Sequence, residues 1–490
     1  MNRTTSRLVA ALAAATLVVA ACGDDDDDGG ATGTEAEPTG TVAPGPTAGP
    51  ADTDAVGTTP TEETSGTEST DETEGTPSED TEGDGEGGGW TVDTEDCIDP
   101  DRVNAPIEGT VSIGSSGPLS GGPAAAAFAP VIQGFEAYID YANESGLLPD
   151  HDITVSFGDD QYDPALTPGV INGALDDGAH LISGMIGTPN NLAVRDTLNE
   201  ECIPHLEAAS GDPAFGEVAD YPWTMGSNLP YDTEWEIYAA DVAKEFPDGA
   251  TVALYYVNND AGVVSKEGFE TAAEELGIEV IDDQTVEAAE SAPPTAQLSS
   301  IAGNAPDAIV AFPLGAQCPV FLNELANQKA ANSGWEPRVY LTNTCASPLI
   351  LGAAGEAADG LYTSGCCGLV DITNPETHTI PGVADYLEYI EAAGLSDTVP
   401  TSAAGWTYAE VTVEILRQAA ESPDGLTQAS IINAARNFEY TPSMVREAIT
   451  YRTSGEEDGF LLESAQIVQY DSATKFLNDV GDLITDFESS

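Results

Sequence analysis

The sequence predicts an α/β fold of two lobes, in which two doubly wound parallel sheets are joined by a hinge and preceded by a disordered acidic tether. Three observations indicate it. From residue 110 onward short β-rich runs alternate with helical patterns, and the same alternation starts again after residue 230. Such alternation favours parallel sheets with right-handed crossovers and helices on both faces. The segment 23–96 lacks the side chains of an apolar core, and the chain beyond it is long enough for two lobes.

The first 22 residues are typical of an export signal that ends at a cysteine. Arg3 and Arg7 precede an apolar run over residues 8–21, which is too short to span a bilayer comfortably. The segment 19–22 (VAAC) resembles the lipobox of bacterial lipoproteins, in which the cysteine is lipid-modified. We therefore expect Cys22 to anchor the chain to the outer face of the cytoplasmic membrane. The alternative is an ordinary signal peptide cut nearby.

The segment 23–96 predicts a disordered acidic linker. It contains no Lys, Arg, Leu, Ile, Phe or Met and consists mainly of Asp, Glu, Gly, Thr, Pro and Ala. A segment of this composition buries too little apolar surface to offset the entropy of ordering. Its threonines and serines also allow O-glycosylation.

The charge of the chain excludes two classes of partner. It has 85 acidic and 13 basic residues, for a net charge of −72. A field of this sign disfavours nucleic acid and an anionic membrane surface. Two explanations stay open, namely a solvated acidic surface suited to a saline exterior and a docking surface for a basic partner.

The cysteines beyond Cys22 are even in number, which favours disulfides in an exported chain. They are Cys97, Cys202, Cys318, Cys345, Cys366 and Cys367. Of the 15 pairings that six cysteines allow, we expect Cys97 with Cys202 and two bridges among the later four. Neither Cys-x-x-Cys nor a Cys/His spacing typical of zinc is present, so we expect no metal site and no cofactor.

The first half of the folded part begins with an apolar strand at residues 110–114. A helix is predicted next, because apolar residues recur on one face. They are Phe128, Val131, Ile132, Phe135 and Ile139. The remaining predicted elements are a strand at 153–157, a helix at 164–177, a strand at 180–186, a helix at 189–199 and a strand at 203–207.

The second half repeats the pattern after a joint near residues 225–230. It comprises a helix at 231–245, a strand at 251–257, a helix at 262–276, a strand at 279–281, a helix at 297–302, a strand at 307–312, a helix at 319–332 and a strand at 338–341. Trp406 and Tyr408 lie in a further helical pattern and are assigned to packing between lobes. Ligands of such open sheets bind beyond the carboxyl ends of the strands, so two facing lobes share a cleft.

Three turns that follow strands carry hydroxyl groups and free backbone N–H groups. They are residues 114–121 (GSSGPLSG), 187–191 (GTPNN) and 208–212 (AASGD). Each opens toward a helix N-terminus, which suits an anionic group such as a carboxylate. Ser115 and Ser116 are the candidates in the first turn. The alternative is that these residues only cap helices and form tight turns.

Signatures of catalysis are missing from the sequence. There is no P-loop, no Gly-x-Ser-x-Gly, no His-Glu-x-x-His, no EF-hand pattern and no Gly-x-Gly-x-x-Gly after a strand. A Ser/His/Asp triad assembled in space leaves no fixed spacing, but nothing in the sequence supports one. We therefore expect no enzymatic activity.

From residue 109 to the C-terminus the chain resembles the leucine/isoleucine/valine-binding branch of the type I periplasmic binding proteins, which serve ABC importers. The resemblance depends on segments in the order of the family: 113–121 (IGSSGPLSG), 158–164 (GDDQYDP), 184–189 (GMIGTP), 208–210 (AAS), 258–262 (NNDAG), 267–269 (EGF) and 360–362 (GLY). The first two segments are the most specific. The resemblance implies lobe 1 at 107–228 plus about 366–440, and lobe 2 at 229–365 plus about 441–490.

The resemblance also implies a set of ligand-binding residues. The family's carboxylate-binding hydroxyls and amides match Thr188, Pro189, Asn190 and Ser210, and its carbonyl ligand for an α-ammonium group matches Ala208.

The chain departs from the family pattern where an acid for the ammonium group is expected, because residues 343–345 are Asn343-Thr344-Cys345. A buried ammonium without a carboxylate is poorly compensated. Asp232 and Asp260 are the alternative acids. Ala261 stands where many relatives have an aromatic residue, which reshapes the pocket.

These observations predict the solute-binding component of an ABC importer. It is expected to be a monomer that binds a small polar organic solute, such as a branched-chain amino acid or a related carboxylate or amide, and presents it to permease subunits. Two alternatives stay open: a ligand-sensing input module of the same fold and, less favoured, an exported hydrolase.

Overall fold

The computed structural model describes residues 89–485. The predicted export signal, the lipid site at Cys22 and the linker up to residue 88 lie outside the described residues. Within the described range, no helix combines the length and the hydropathy needed to cross a bilayer.

The first half of the chain builds one parallel sheet, as predicted. Its strands are β1 Thr110–Gly117, β2 Asp152–Asp159, β3 Leu181–Ser183, β4 His205–Ala208 and β5 Thr224–Gly226. Its helices are α1 Pro100–Val103, α2 Gly122–Ser145, α3 Thr167–Asp176 and α4 Thr188–Glu200. The strand order is β2-β1-β3-β4-β5, and every pairing is parallel. The carboxyl ends of these strands therefore meet at one edge.

The next segment builds a second sheet by the same alternation. Its elements are α5 Tyr231–Glu245, β6 Thr251–Val257, α6 Asp260–Leu276, β7 Glu279–Val286, α7 Thr295–Asn304, β8 Ala308–Phe312, α8 Gln317–Ala331, β9 Arg338–Leu341, α9 Pro348–Ala354 and β10 Tyr362–Thr363. Strands β7, β6, β8, β9 and β10 are adjacent in that order and parallel. With the first sheet, this arrangement confirms the predicted fold class.

The C-terminal part returns to both sheets. Its elements are α10 Pro381–Ala392, α11 Ser402–Ala420, α12 Gln428–Ala435, β11 Glu439–Tyr440, β12 Tyr451–Arg452, β13 Val468–Asp471 and β14 Phe476–Asp479. Strands β13 and β14 add an antiparallel pair to the edge of the second sheet next to β10. The sequence patterns did not predict this pair.

The second segment of lobe 1 was predicted to end at about residue 440, but the apolar core beneath the first sheet includes residues beyond that point. Met444, Ile449, Tyr451 and Leu461 are buried in that core together with residues of α2 and α11. The chain joins the second sheet only at β13. Leu462, Ala465 and Ile467 belong to the same core, so the crossing lies directly before β13.

The ends of two long helices follow the signals in the sequence. Helix α6 begins where the Asn259 side chain accepts a hydrogen bond from the N–H of Gly262, and it ends at Gly277, which has φ of +72°. Helix α2 ends in the same way at Gly146, with φ of +63°. A glycine adopts this left-handed conformation without the steric cost of a Cβ.

The last eight residues of the predicted linker belong to the folded part. The N–H of Trp90 donates to Asn437 Oδ1 at 2.8 Å, and the N–H of Val92 donates to Asn433 Oδ1 at the same distance. The linker boundary predicted at residue 96 is therefore wrong for residues 89–96, because two asparagines of the α12 region satisfy their backbone groups.

Two disulfides are present among the described residues. Cys97 pairs with Cys202, as predicted, and Cys318 pairs with Cys345. The prediction of two bridges among the later four cysteines is wrong, because Cys366 and Cys367 are free thiols. These two residues are adjacent on the segment after β10, and the Cys367 sulfur lies 3.4 Å from the Tyr408 hydroxyl.

Candidate functional site

A cavity of about 120 Å³ lies between the carboxyl edges of the two sheets, and we call it the interlobe cavity. One buried water needs about 10–15 Å³ by the same measure, so this space suits a small organic molecule. Most of its wall is apolar and comes from both halves of the chain. Representative members are Val131, Ile186, Leu314, Ile350, Val370 and Leu477.

The N-terminus of α4 forms the polar part of the wall on the side of the first sheet. Gly187 and Thr188 line the cavity, and no side chain caps the helix. The Thr188 hydroxyl lies 2.6 Å from the Ser210 hydroxyl, which in turn accepts a hydrogen bond from the N–H of Asp212. The first N–H groups of a helix have no partner within it, so this corner offers donors to an anionic group.

Two of the predicted site residues, Ser116 and Asn190, donate hydrogen bonds to the buried carboxylate of Asp160 instead of lining the cavity. Asp160 accepts hydrogen bonds from Ser116 Oγ at 2.8 Å, from Asn190 Nδ2 at 3.0 Å and from Thr167 Oγ1 at 3.2 Å. Burial is the largest influence on Asp160 and raises its pKa, while these donors oppose the rise. Ser116 and Asn190 therefore join β1, α3 and α4 behind the wall of the cavity.

Four further predicted residues lie outside the lining of the cavity, namely Ser115, Pro189, Ala208 and Ser210. Ser115 is fully buried, and its hydroxyl has no hydrogen-bond partner in the described part of the chain. Pro189 follows Thr188 in the first turn of α4. The carbonyl oxygen of Ala208 already accepts hydrogen bonds from Ser210 N, Ser227 N and Ser227 Oγ.

A second buried carboxylate positions the loop after β9. Glu234 accepts hydrogen bonds from the N–H of Asn343 at 2.7 Å, from Thr342 Oγ1 at 2.9 Å and from Tyr238 OH at 2.8 Å. Burial raises the pKa of Glu234, and these donors lower it. Asn343 and Thr344 are thereby held in the cavity wall, and the buried Thr344 Oγ1 atom has no hydrogen-bond partner among residues 89–485.

The two alternative acids do not line the cavity. Asp232 lies at the start of α5 and accepts a hydrogen bond from the N–H of Thr233. Asp260 is exposed in the first turn of α6, next to Ala261, which does line the cavity. Burial raises the pKa of Asp212 across the cleft, and the negative charges of Asp260 and Asp232 raise it further.

Aromatic side chains from both halves form walls that the sequence patterns did not identify. Phe128 stacks on Tyr162, with ring centres 6.2 Å apart and ring planes at 14°. Tyr231 meets Phe312 edge to face at 5.1 Å. All four line the cavity. The helical periodicity assigned Phe128 to the core, and only the facing lobe shows that its ring borders an open space.

Tyr408 also lines the cavity, although its helical pattern indicated packing. Its hydroxyl donates to Asn228 Oδ1 at 2.7 Å. Burial raises the pKa of the Tyr231 hydroxyl, and Asn228 and Ser210 lower it. Polar side chains therefore extend from Thr188 to Tyr408 along one side of the cavity.

Two charged side chains line the cavity within the described range, and both have partners in the protein. Asp371 accepts hydrogen bonds from Thr373 and from the N–H of Leu477. Arg446 donates to Asp479 at 2.8 Å and to the carbonyl of Leu369. No group of three or more His, Cys, Asp or Glu residues in this range converges as metal ligands do.

A fold of two α/β lobes around a cavity defines a class of solute-binding proteins, and the comparison with protein families agrees. The model of the periplasmic binding protein family matches residues 110–475. The chain therefore belongs to the periplasmic binding protein family. A search of curated proteins finds no match.

Solved structures with similar folds come from several organisms. A branched-chain amino acid ABC transporter protein from Thermus thermophilus with bound valine is 20% identical, with a TM-score of 0.69, over 77% of this chain and 97% of that one. A fatty acid ABC transporter substrate-binding protein from Thermomonospora curvata is 19% identical, with a TM-score of 0.64, over 79% and 95%. A solute-binding protein from Rhodopseudomonas palustris BisB5 in complex with 3,4-dihydroxybenzoic acid is 18% identical, with a TM-score of 0.63, over 78% and 98%. At these identities the likeness shows the fold alone.

Proposed function

We propose that this protein is the noncatalytic, extracytoplasmic solute-binding component of an ABC importer. It captures a small organic solute in the interlobe cavity and presents it to permease subunits. The observation that carries the proposal is the cavity itself, which lies at the carboxyl edges of two sheets and is lined from both sides. A solute held there stabilises the closed form, because only that form lets both lobes contact it.

The solute's acidic or amide group is assigned to Thr188 and the N-terminus of α4, with Asn343 and Thr344 on the opposite side. Ser210 positions the Thr188 hydroxyl. Anchoring through a lipid on Cys22, with the linker as a tether, is part of the same proposal. The sequence around Cys22 supports it.

A solute screen tests the proposal. The purified protein is mixed with amino acids, carboxylic acids and amides, and thermal unfolding, turnover and small-angle scattering are measured. A ligand that binds the native state raises the unfolding temperature, and we expect it to lower the radius of gyration without being consumed.

Thr188→Val tests the assigned corner of the cavity. We expect it to weaken binding by about ten- to a hundredfold, because a hydrogen bond to a charged group contributes about 1.5–3 kcal/mol. Thr197→Val, at an exposed position of the same helix, is the matched control. Turnover of a bound compound, or binding without compaction, would contradict the proposal. Loss of uptake of the identified solute on gene deletion separates transport from sensing.

A further inference from the structure

The interlobe cavity is built for one chemical class of solute. We infer that its solute is a carboxylate with an apolar body of aromatic size and without an ammonium group. The inference rests on the proposed function and narrows it. It depends on three features of the wall. The hydrogen-bond acceptors around the cavity already have donors within the protein, the N-terminus of α4 offers hydrogen-bond donors, and aromatic rings lie on both sides.

The backbone acceptor at the end of β4 is already occupied. The Ala208 carbonyl accepts from Ser210 N at 2.7 Å and from both the N–H and the hydroxyl of Ser227 at 3.1 Å. Three donors exceed the two lone pairs of a carbonyl oxygen. An ammonium group placed here would have to displace an existing hydrogen bond.

The carboxylates around the cavity are occupied as well. Asp371 accepts from Thr373 and Leu477, and Glu234 accepts from Asn343 and other donors behind the wall. Asp160 is held in the same way behind α4. Asp371 is the lining acid that an ammonium group could meet in the described chain, and its oxygens already accept three hydrogen bonds from Thr373 and Leu477. The positive charge of Arg446 lines the same cavity, so an ammonium group there is poorly compensated for its lost hydration.

A carboxylate meets the opposite situation. Gly187 and Thr188 bring the N-terminus of α4 to the wall, and no side chain of the described residues caps that helix. Hydrogen-bond donors and a positive helix end therefore face the cavity, and Arg446 adds a positive charge to its wall. The one acid in the lining of the described chain, Asp371, already accepts three hydrogen bonds, so the wall favours a negative group over a positive one.

The shape of the apolar wall indicates the body of the solute. The Phe128–Tyr162 stack comes from the half of the first sheet, and the Tyr231–Phe312 pair comes from the half of the second. All four rings line the cavity. Aromatic rings pack by stacking and by edge-to-face contact, so a flat apolar body between these pairs has partners of both kinds.

Calorimetric titration with four compounds of one skeleton tests the inference on the purified protein. They are 3-phenylpropionate, which has only the carboxylate, phenylalanine, which has both groups, 2-phenylethylamine, which has only the ammonium, and 3-phenylpropionamide, which is neutral. We expect 3-phenylpropionate to bind at least about tenfold more tightly than phenylalanine, and 2-phenylethylamine not to bind. The pair 4-methylpentanoate and leucine repeats the comparison with a smaller body.

A charge introduced into the wall gives a second test. Because Thr344 lines the cavity, Thr344→Asp adds a carboxylate to the wall, and Thr344→Asn is the neutral control of the same size. We expect Thr344→Asp to reverse the preference toward phenylalanine and Thr344→Asn to keep it. If Thr344→Asp does not fold, the calorimetric comparison of the compounds on the unaltered protein still tests the inference.

The outcomes separate this inference from the proposed function. Equal or tighter binding of phenylalanine or leucine overturns the inference and leaves the solute receptor intact. Failure of every compound in both series overturns the inference too, and the receptor then depends on the wider screen and its scattering readout. Selective binding of the carboxylates supports both.

Discussion

At the scale of single residues, similar polar side chains after neighbouring strands have different roles, because some hold a buried carboxylate and another lines the cavity. Ser116 and Asn190 hold the Asp160 carboxylate, whereas Thr188, two residues before Asn190, lines the cavity. The sequence places all three in turns at one sheet edge. Which of them reaches the solute depends on the direction of each side chain, and this follows from packing around Asp160.

The cysteines provide a prediction at this scale. Peptide mapping without reduction is expected to find Cys97 linked to Cys202 and Cys318 linked to Cys345, with Cys366 and Cys367 alkylated. Cys97→Ser should lower the free energy of unfolding by about 4 kcal/mol, because that bridge closes a loop of about 100 residues. Cys318→Ser should cost about 3 kcal/mol, since its loop is shorter. A crosslink that includes Cys366 or Cys367 would contradict this assignment.

At the scale of elements, the contact between α2 and α11 sets the packing beneath the first sheet. Gly134 lies against the Ser402 carbonyl, and a Cβ at Gly405 would overlap the Val131 carbonyl oxygen. The two helices therefore pack backbone to backbone at these glycines. Trp406 beside this contact is almost fully buried against Tyr138 and Tyr386.

Substitution at this contact is a prediction for the element scale. Gly405→Ala should lower the free energy of unfolding by about 3 kcal/mol or more, because the helices must separate to admit the methyl group. Gly173→Ala in α3 is the matched control, since nothing lies within 4 Å of its added Cβ. That control should raise stability by about 0.5–1 kcal/mol through helix propensity. Chemical denaturation of both variants measures the difference, and equal effects would refute the close contact.

At the scale of the whole molecule, the excess negative charge and the buried carboxyl groups together determine how stability depends on pH. The net charge is −72, and burial raises the pKa of several carboxyl groups in the folded chain. They are Asp160, Asp212, Glu207, Glu234 and Glu410. A carboxyl whose pKa is higher when folded contributes stability that is fully present below its unfolded pKa and is lost as pH rises through its folded pKa.

We therefore expect stability to rise as pH falls from 8 toward 5. Glu207 is the sharpest probe, because it is fully buried, both its oxygens lack hydrogen-bond partners within residues 89–485, and burial raises its pKa well above the ordinary value. Glu207→Gln should flatten the dependence of unfolding free energy on pH by up to about 1.4 kcal/mol per pH unit. Glu391→Gln, at an exposed position, is the control. Unfolding temperatures that increase toward pH 8 would contradict this expectation.

Much of the fold is readable from the sequence because it depends on local patterns. Apolar runs and helical periodicity predicted β1 to β4, β6 to β9 and the helices between them, and Gly277 marked the end of α6. Strand β5 was not predicted, because its three residues were assigned to the joint between the two halves. Thr188, Asn343 and Thr344 line the cavity, and their contact with a solute stays a prediction. Strands β13 and β14 were not predicted, because four-residue strands at a sheet edge are specified by their partner β10 rather than by their own pattern.

By itself, the sequence determined the class of fold and the sheet edges that border the cavity. These follow from periodicity, turn chemistry and strand direction, which are local properties. The Cys97–Cys202 bridge joins residues 105 apart, and the structure confirms it among the 15 pairings that the sequence left open. Only the tertiary structure decided which polar groups form hydrogen bonds within the protein and which are left to face the cavity. Ser116, Asn190 and Ala208 are hydrogen-bonded within the protein, whereas the rings of Phe128 and Tyr231 line the cavity. That division depends on contacts between segments far apart in the chain, and no local pattern records them.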